Sequence, residues 1–459
     1  MARQSLAVIT ILSLSLLWNC SFADAAVSPG KLIDRGMSID KAIDTAIEQN
    51  RKGDFSVSIL GAPAGTKVEY TLTSLDFDLG TILYRSCFLK PETDPDRIQM
   101  LDKIEKYFNS ILVPLFWHTT EPNQNQIDHT AFLQVSRWAK EHGKKTFGHA
   151  LFYGPGDKAL DDCDIIDAGK KQFVQPWVQT LDKKQLEQAM KRYLDESLPL
   201  YEGLVARYTL NNETLNHRGS GIPIDYFSKK LGFKNLAPYF KWARDAAPGT
   251  SFYTNENCIL AAIDDAGNHS TPYYVKMIKE LIISGADVGG ISIQGHFFGT
   301  RVPPTKEIWE KLDALSVFNL PILITEFGVQ TGDVQQYAED LHRFYRTCLA
   351  HPAVEGVIRW GIWEPDMWPK KHQLDKTSFY THDPEMHLWS KDWTPNQAAK
   401  VYIDLVTKEW MTRGTGKTND AGQIKFRGFY GTYRIDVAGK EFTVEFKQPL
   451  PQQKVITLP

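Results

Sequence analysis

The chain has 459 residues and a formal net charge of −3, with its lysines and arginines scattered along the sequence. That length holds one large α/β barrel or a few ordinary domains, and the charge balance gives no electrostatic case for a nucleic-acid partner; a neutral polymer suits it better. Aromatic residues make up 12% of the total, and Trp360, Trp363, Trp368, Trp389 and Trp393 fall close together, as rings that can stack on sugar faces, although buried tryptophans are more often core.

Residues 1–25 read as a signal peptide: Arg3 precedes an apolar run over 6–17, and Ala23-Asp24-Ala25 has the small-x-small cleavage pattern. The mature chain is therefore expected to be secreted, extracellular or periplasmic, with no later run near the ~20 apolar residues of a membrane-spanning helix. Leu17-Trp18-Asn19-Cys20 is a poor acylation site because Asn19 stands where a small residue is wanted. Cleavage leaves Cys87, Cys163, Cys258 and Cys348, which lack metal-ligand spacing and whose possible disulfide pairing stays open.

In residues 26–75 a helix is expected over 39–50, followed by strands over 55–60 and 68–73 around a Gly61-Ala62-Pro63-Ala64-Gly65 turn. From residue 77 onward apolar β-like runs alternate with amphipathic segments, which argues for parallel strands with crossover helices. The strand runs are 77–83, 111–116, 146–152, 207–212, 252–257, 290–294, 322–326 and 357–363. Amphipathic segments include 96–108, 131–142, 184–200, 273–283, 306–318 and 334–349. Eight such units predict a (β/α)8 TIM barrel over 76–408. Beyond it, alternating runs over 423–429, 432–437 and 441–446 predict a β-module spanning 409–459, expected to pack with the N-terminal strands as one accessory sandwich that supports the barrel.

A parallel barrel carries its active site where the strands end. The second run leads into Trp117, His118 and Glu121; the third reaches His149 and then Tyr153; the fourth ends in Asn212-Glu213. The fifth carries Asn255-Glu256, the sixth Gln294-Gly295-His296, the seventh Thr325-Glu326, and the eighth Trp360-Gly361-Ile362-Trp363. Carboxylates, amides, imidazoles and indoles thus meet at one rim, the chemistry that glycosidic cleavage needs. One carboxylic acid protonates the leaving oxygen while a second carboxylate attacks, the two lying ~5–5.5 Å apart in retaining enzymes. Strands four and seven face each other across a barrel, so Glu213 and Glu326 are expected to face one another across its mouth. Asn212 would bond a sugar hydroxyl, and His296 or Gln294 would orient Glu326. Against this, Asn-Glu and Thr-Glu each occur twice, and a lone glutamate at a strand end is more often a solvated surface residue. His149 and His296 read equally well as core histidines. No paired-histidine spacing on one helix appears, so a zinc site is the less expected reading.

Over roughly residues 77–406 the chain resembles glycoside hydrolase family 10, the xylanase-type barrels. Trp117-His118-Thr119-Thr120-Glu121-Pro122 is similar to the family's Trp-x-x-Thr-Glu-Pro, and Gly148-His149-Ala150-Leu151 to its Gly-His-x-Leu. Asn212-Glu213 resembles the acid/base motif, Asn255-Glu256 the Asn-Asp of strand five, Gln294-Gly295-His296 the Gln-x-His of strand six and Ile324-Thr325-Glu326 the nucleophile motif. Trp360-Gly361 with Trp368 resembles the Trp-Gly and later Trp after strand eight. The resemblance implies double displacement with retention, with Glu213 as acid/base, Glu326 as nucleophile and no metal or organic cofactor required. Substrate contacts would come from Trp117, His149, Tyr153, Asn212, Asn255, Gln294, His296, Trp360 and Trp368. The expected partner is a plant or algal cell-wall polysaccharide or its oligosaccharides, bound by a monomer.

Departures fall at substrate contacts. Leu112, Val113 and Phe116 replace the family's Glu-Asn pair and Lys on the glycone side, and Tyr153-Gly154 replaces its Trp-His. Retained chemistry with shifted specificity is the expectation. Competing readings are a catalytically weak carbohydrate-binding barrel and an exo-acting β-glycosidase of another two-carboxylate family.

Overall fold

The apolar runs form a closed ring because side chains buried on both faces of a strand need neighbours on every side. Ser110–Pro114, for instance, is buried at all five positions. The computed structural model describes residues 29–154, 173–215, 225–261, 270–298, 302–330, 333–366, 387–448 and 452–458. Among these, eight strands pair in parallel: Asp78–Ile82, Ser110–Pro114, Lys145–His149, Arg207–Asn212, Ser251–Glu256, Gly290–Ile293, Ile322–Gln330 and Val354–Arg359. The eighth closes on the first, with Gly356 opposite Asp78 and Arg359 opposite Thr81. The (β/α)8 expectation thus corresponds to a closed barrel.

Ile82, Leu112, Phe147, Tyr253, Leu323 and Ile358 fill the barrel's interior, with Trp360 and Tyr84 packed against them. Gly290 allows this packing, because a Cβ there would stand 2.1 Å from the Tyr253 ring. Crossover helices start where the sequence supplies caps. Asp94 accepts the Arg97 backbone N–H ahead of Pro95–Tyr107, and Asp182 with Gln185 forms a reciprocal capping box for Lys183–Ser197.

Strand boundaries differ from the expected ones where pairing rather than hydrophobicity decides. The seventh strand continues past Glu326 to Gln330 because a short strand, His296–Phe298, pairs with its extension. The third stops at His149, and Phe152–Tyr153 resumes the pairing alongside Asn211 and Asn212. Arg413–Lys417 is a strand that the apolar pattern could not announce, since its sequence, RGTGK, holds no apolar side chain.

The chain ends form two small sheets. Gln423–Phe429, Lys52–Leu60 and Gln453–Thr457 make one, and Arg413–Lys417, Lys67–Leu75, Gly431–Val437 and Lys440–Phe446 make the other. Each mixes strands from both ends, and Phe55 stacks on Phe446 at 4.2 Å while Tyr70 stacks on Phe426 at 4.0 Å. The strand-bearing ends are tied to the barrel at Arg51. Its guanidinium donates to the carbonyls of Leu349, His351 and Val354 at 2.6 Å each, and Asn50 donates to Ala350 O at 3.0 Å. These carbonyls surround the C-terminal end of the helix Val334–Ala350, where a cation also opposes the helix dipole. Residues 1–28 and Cys163 lie outside the described residues, so the leader and one cysteine have no structural account.

Candidate active site

Glu213 follows directly on the fourth strand in left-handed backbone (φ +53°), a conformation that costs a non-glycine residue ~1–2 kcal/mol. The turn is held from two sides. The Glu213 N–H donates to Asn255 O at 3.1 Å, and buried Glu256 accepts the next two backbone N–H groups, from Thr214 at 2.9 Å and Leu215 at 3.0 Å. Glu256 also accepts from Asn257 N at 3.0 Å. The residue after the fifth-strand asparagine therefore braces the loop that carries Glu213, a role its position in the sequence did not reveal.

Glu326 is 4% exposed and surrounded by donors. Asn255 Nδ2 lies 3.0 Å from Oε1, His149 Nε2 3.3 Å from the same oxygen, and His296 Nε2 3.0 Å from Oε2. Burial pushes the His149 imidazole below its ordinary range, against the pull of the Glu326 charge. Its Nδ1 lies 3.0 Å from Thr209 Oγ1, while its Nε2 faces the carboxylate. Asn255 links the two halves of the site. Its amide also donates to Asn212 Oδ1 at 2.7 Å, and its own Oδ1 accepts from Thr325 Oγ1 at 2.8 Å. With its oxygen so engaged, Asn212 keeps its NH2 group as the end that can meet a sugar hydroxyl.

The half-buried Glu213 has different surroundings. Burial pushes its carboxyl up, and the charge of Glu326 pushes it further in the same direction. Gln294 Nε2, at 2.7 Å from Oε1, and the Tyr153 hydroxyl, at 2.9 Å from Oε2, pull the other way. One carboxyl is thus pushed toward its protonated form, while its neighbour faces three nitrogen partners. That is the division of labour between a general acid and a nucleophile.

The rim gathers Glu213, Glu326, His149, Tyr153, Asn212, Asn255, Gln294 and His296 into one network. Trp360 packs edge-on to His149 at 5.9 Å and to His296 at 6.0 Å. Two expected roles need correction. Gln294 is bonded to Glu213, so of the two candidates for orienting Glu326 only His296 reaches it. Trp117 is 2% exposed and forms no sugar platform. It opens the short helix Trp117–Thr120, which directs its ring inward against Phe152, Trp177 and Tyr193, with Nε1 donating to Glu121 at 2.8 Å. Glu121 in turn pairs with Arg192 and accepts from Asn125 N at 2.8 Å, as a structural carboxylate beneath the site. Trp368 lies outside the described residues. Thr209 escaped notice, and Thr325 was given no role of its own beside Glu326, because a hydroxyl inside an apolar strand gives no signal until its partner is known. Among the described residues no cluster of three or more His, Cys, Asp or Glu side chains is arranged to hold a metal ion.

A closed barrel with two unequal carboxyl groups at the C-terminal ends of strands four and seven defines a class: the two-carboxylate barrel glycosidases. Within that class, the sequence model of glycosyl hydrolase family 10 matches residues 79–404, and the chain belongs to that family. Curated relatives include Endo-1,4-beta-xylanase 2 of Arabidopsis thaliana, 29% identical over 383 residues, which cover 82% of this chain and 31% of the relative. Another is the Anti-sigma-I factor RsgI6 of Acetivibrio thermocellus, 29% identical over 409 residues, or 87% of this chain and 46% of the relative. The chain thus spans less than half the length of either relative. Among solved structures, xylanase 10B from Thermotoga petrophila in complex with xylobiose superposes with a TM-score of 0.59 at 18% identity, over 73% of this chain and 95% of that one.

Proposed function

We propose that this protein is a secreted, retaining endo-β-glycan hydrolase of the endo-1,4-β-xylanase type, with Glu326 as nucleophile and Glu213 as acid/base. The observation that carries the reading is the inequality of the two carboxyl groups: three donors on Glu326, against burial and a like charge raising Glu213. In the first half of the reaction the Glu213 proton passes to the departing glycosidic oxygen while a Glu326 oxygen bonds the anomeric carbon. In the second half Glu213 takes a proton from water, whose oxygen displaces Glu326 with a second inversion. A polysaccharide substrate fits the family and the near-neutral charge.

Specificity is argued from the glycone side. Leu112 and Val113 are fully buried, with Leu112 inside the barrel, so neither position offers a polar group to a sugar. Phe116 is half-buried and borders the site, 5.8 Å from the Tyr153 ring and 5.9 Å from His149, with His118 stacked on it at 5.4 Å. An aromatic wall in place of hydroxyl-binding groups favours a glycone carrying an apolar or substituted face, such as a decorated xylan. The test is release of reducing ends from plain xylan, decorated xylans, β-glucan and mannan by the unaltered chain and by Glu326→Gln. Activity highest on a decorated xylan and reduced by ~10³-fold or more in the variant is the expected result. Undiminished turnover by Glu326→Gln would refute the mechanism, and a preference for undecorated xylan would refute the shift in specificity.

A further inference from the structure

The two bonds to Glu213 are not equivalent. Gln294 presents a nitrogen to Oε1, and an amide NH2 can donate a hydrogen bond but cannot accept one. The Gln294 N–H occupies an acceptor direction of Oε1, which favours placing the proton on Oε2, whose partner can also accept. Oε2 instead meets the Tyr153 hydroxyl, a group that donates or accepts according to how its O–H turns. The ring itself is fixed. Phe173 packs edge-on to it at 4.8 Å, Phe116 tilts against it, and the Phe152–Tyr153 strand pairs with Asn211 and Asn212, the two residues before Glu213.

Resting on the assignment of Glu213 as acid/base, we propose that Tyr153 is a two-way positioning residue that confines the transferable proton to Glu213 Oε2. In the empty site the Tyr153 hydroxyl donates to Oε2 at 2.9 Å, and it turns to accept once Oε2 carries the proton. When a glycosidic oxygen takes that place, the Oε2–H bond breaks as the anomeric C–O bond breaks, the proton goes to the leaving oxygen, and the phenol turns to donate to the new carboxylate. Attack by water reverses the sequence: a water proton returns to Oε2 and the hydroxyl swings back to accept. The indole that the family usually carries at this place could only donate, so the tyrosine serves both halves of the reaction where an indole would serve one.

The test compares kcat/KM against pH for the unaltered chain and Tyr153→Phe on xylohexaose, whose leaving group needs a proton, and on para-nitrophenyl β-xylobioside, whose leaving group does not. A hydrogen bond to a carboxylate is stronger than one from a neutral acid, so loss of the hydroxyl moves the alkaline limb for xylohexaose upward by ~0.5–1 pH unit. The loss on xylohexaose also exceeds the loss on the nitrophenyl substrate. Gln294→Leu, which removes the donor fixed on Oε1, moves the same limb in the same direction and guards against a folding defect in a single variant. An unmoved alkaline limb in Tyr153→Phe, or equal losses on the two substrates, would overturn the proposal and leave Tyr153 as plain cleft wall. Full turnover by Glu326→Gln in the same assays would instead strike the mechanism on which the proposal rests.

Discussion

Asn255 shows how much of the site hangs on a single amide. It is fully buried, holds Asn212 and Glu326 with one nitrogen, and is held by Thr325 through its oxygen. Replacing it by alanine strips one donor from the nucleophile and frees the Asn212 amide to rotate. Such a loss of a preorganised donor costs ~10²–10³-fold in catalysis. Asn255→Ala is therefore expected to lower kcat/KM by about that factor, and a variant within threefold of the unaltered chain would contradict the role. At this scale the residue types at the strand ends were legible, because acids, amides and imidazoles following apolar runs stand out. Their partners were not. Gln294 and His296 flank one glycine, yet they serve different carboxylates, and Trp117 sits in a family-like motif but turns into the core; both outcomes depend on backbone direction, which residue spacing alone does not encode.

Between elements, the join at Arg51 carries disproportionate weight. Burial lowers its guanidinium to about 10, offset in part by Asp76, so it stays charged at neutral pH while capping three carbonyls near the end of the helix Val334–Ala350. Methionine can fill the space of the side chain but supplies no donor, and buried carbonyls left unsatisfied are costly. Arg51→Met is expected to lower unfolding stability by about 2–4 kcal/mol, read as a lower denaturant midpoint; a midpoint within error of the unaltered chain would argue against the cap. The helix Ile39–Asn50 was legible from its period, and Lys52–Leu60 and Lys67–Leu75 from their alternation. Arg413–Lys417 and Gln453–Thr457 were not, since the first is polar, the second has only Val455 and Ile456 as apolar residues, and both are edge strands set by the neighbour they pair with.

Across the whole molecule, the end of the barrel opposite the active site is closed by charge. Asp78 on the first strand bonds Lys145 Nζ at 2.8 Å on the third and pairs with Arg207 on the fourth, which reaches Glu355 on the eighth at 2.9 Å; Tyr253 on the fifth donates to Glu355 at 2.7 Å. Burial alone would raise the Asp78 carboxyl, but Arg207 and Lys145 outweigh it and hold it at about 2. A folded value below the unfolded one, ~3.9, means that this contribution is fully present above the unfolded value and is lost as pH falls from ~5 towards 2. Unfolding free energy measured by denaturant titration is expected to drop through that window. Asp78→Asn should weaken the drop while costing about 1–3 kcal/mol at neutral pH, because it leaves the largely buried Arg207 and the part-exposed Lys145 short of a partner. A pH profile identical in the two proteins would exclude Asp78 as its source. None of this cluster was apparent in the sequence, where the participants are separate polar residues within or beside apolar runs; the ring of strands brings them together.

The interleaved sheets at the chain ends set an order of assembly. Lys52–Leu60 is the middle strand of its sheet, yet both neighbours, Gln423–Phe429 and Gln453–Thr457, follow the whole barrel in the sequence. Until the barrel has been synthesised Phe55, Val57 and Ile59 therefore wait with both backbone edges open, a stretch on which a nascent chain can stick to others before its partner strands arrive.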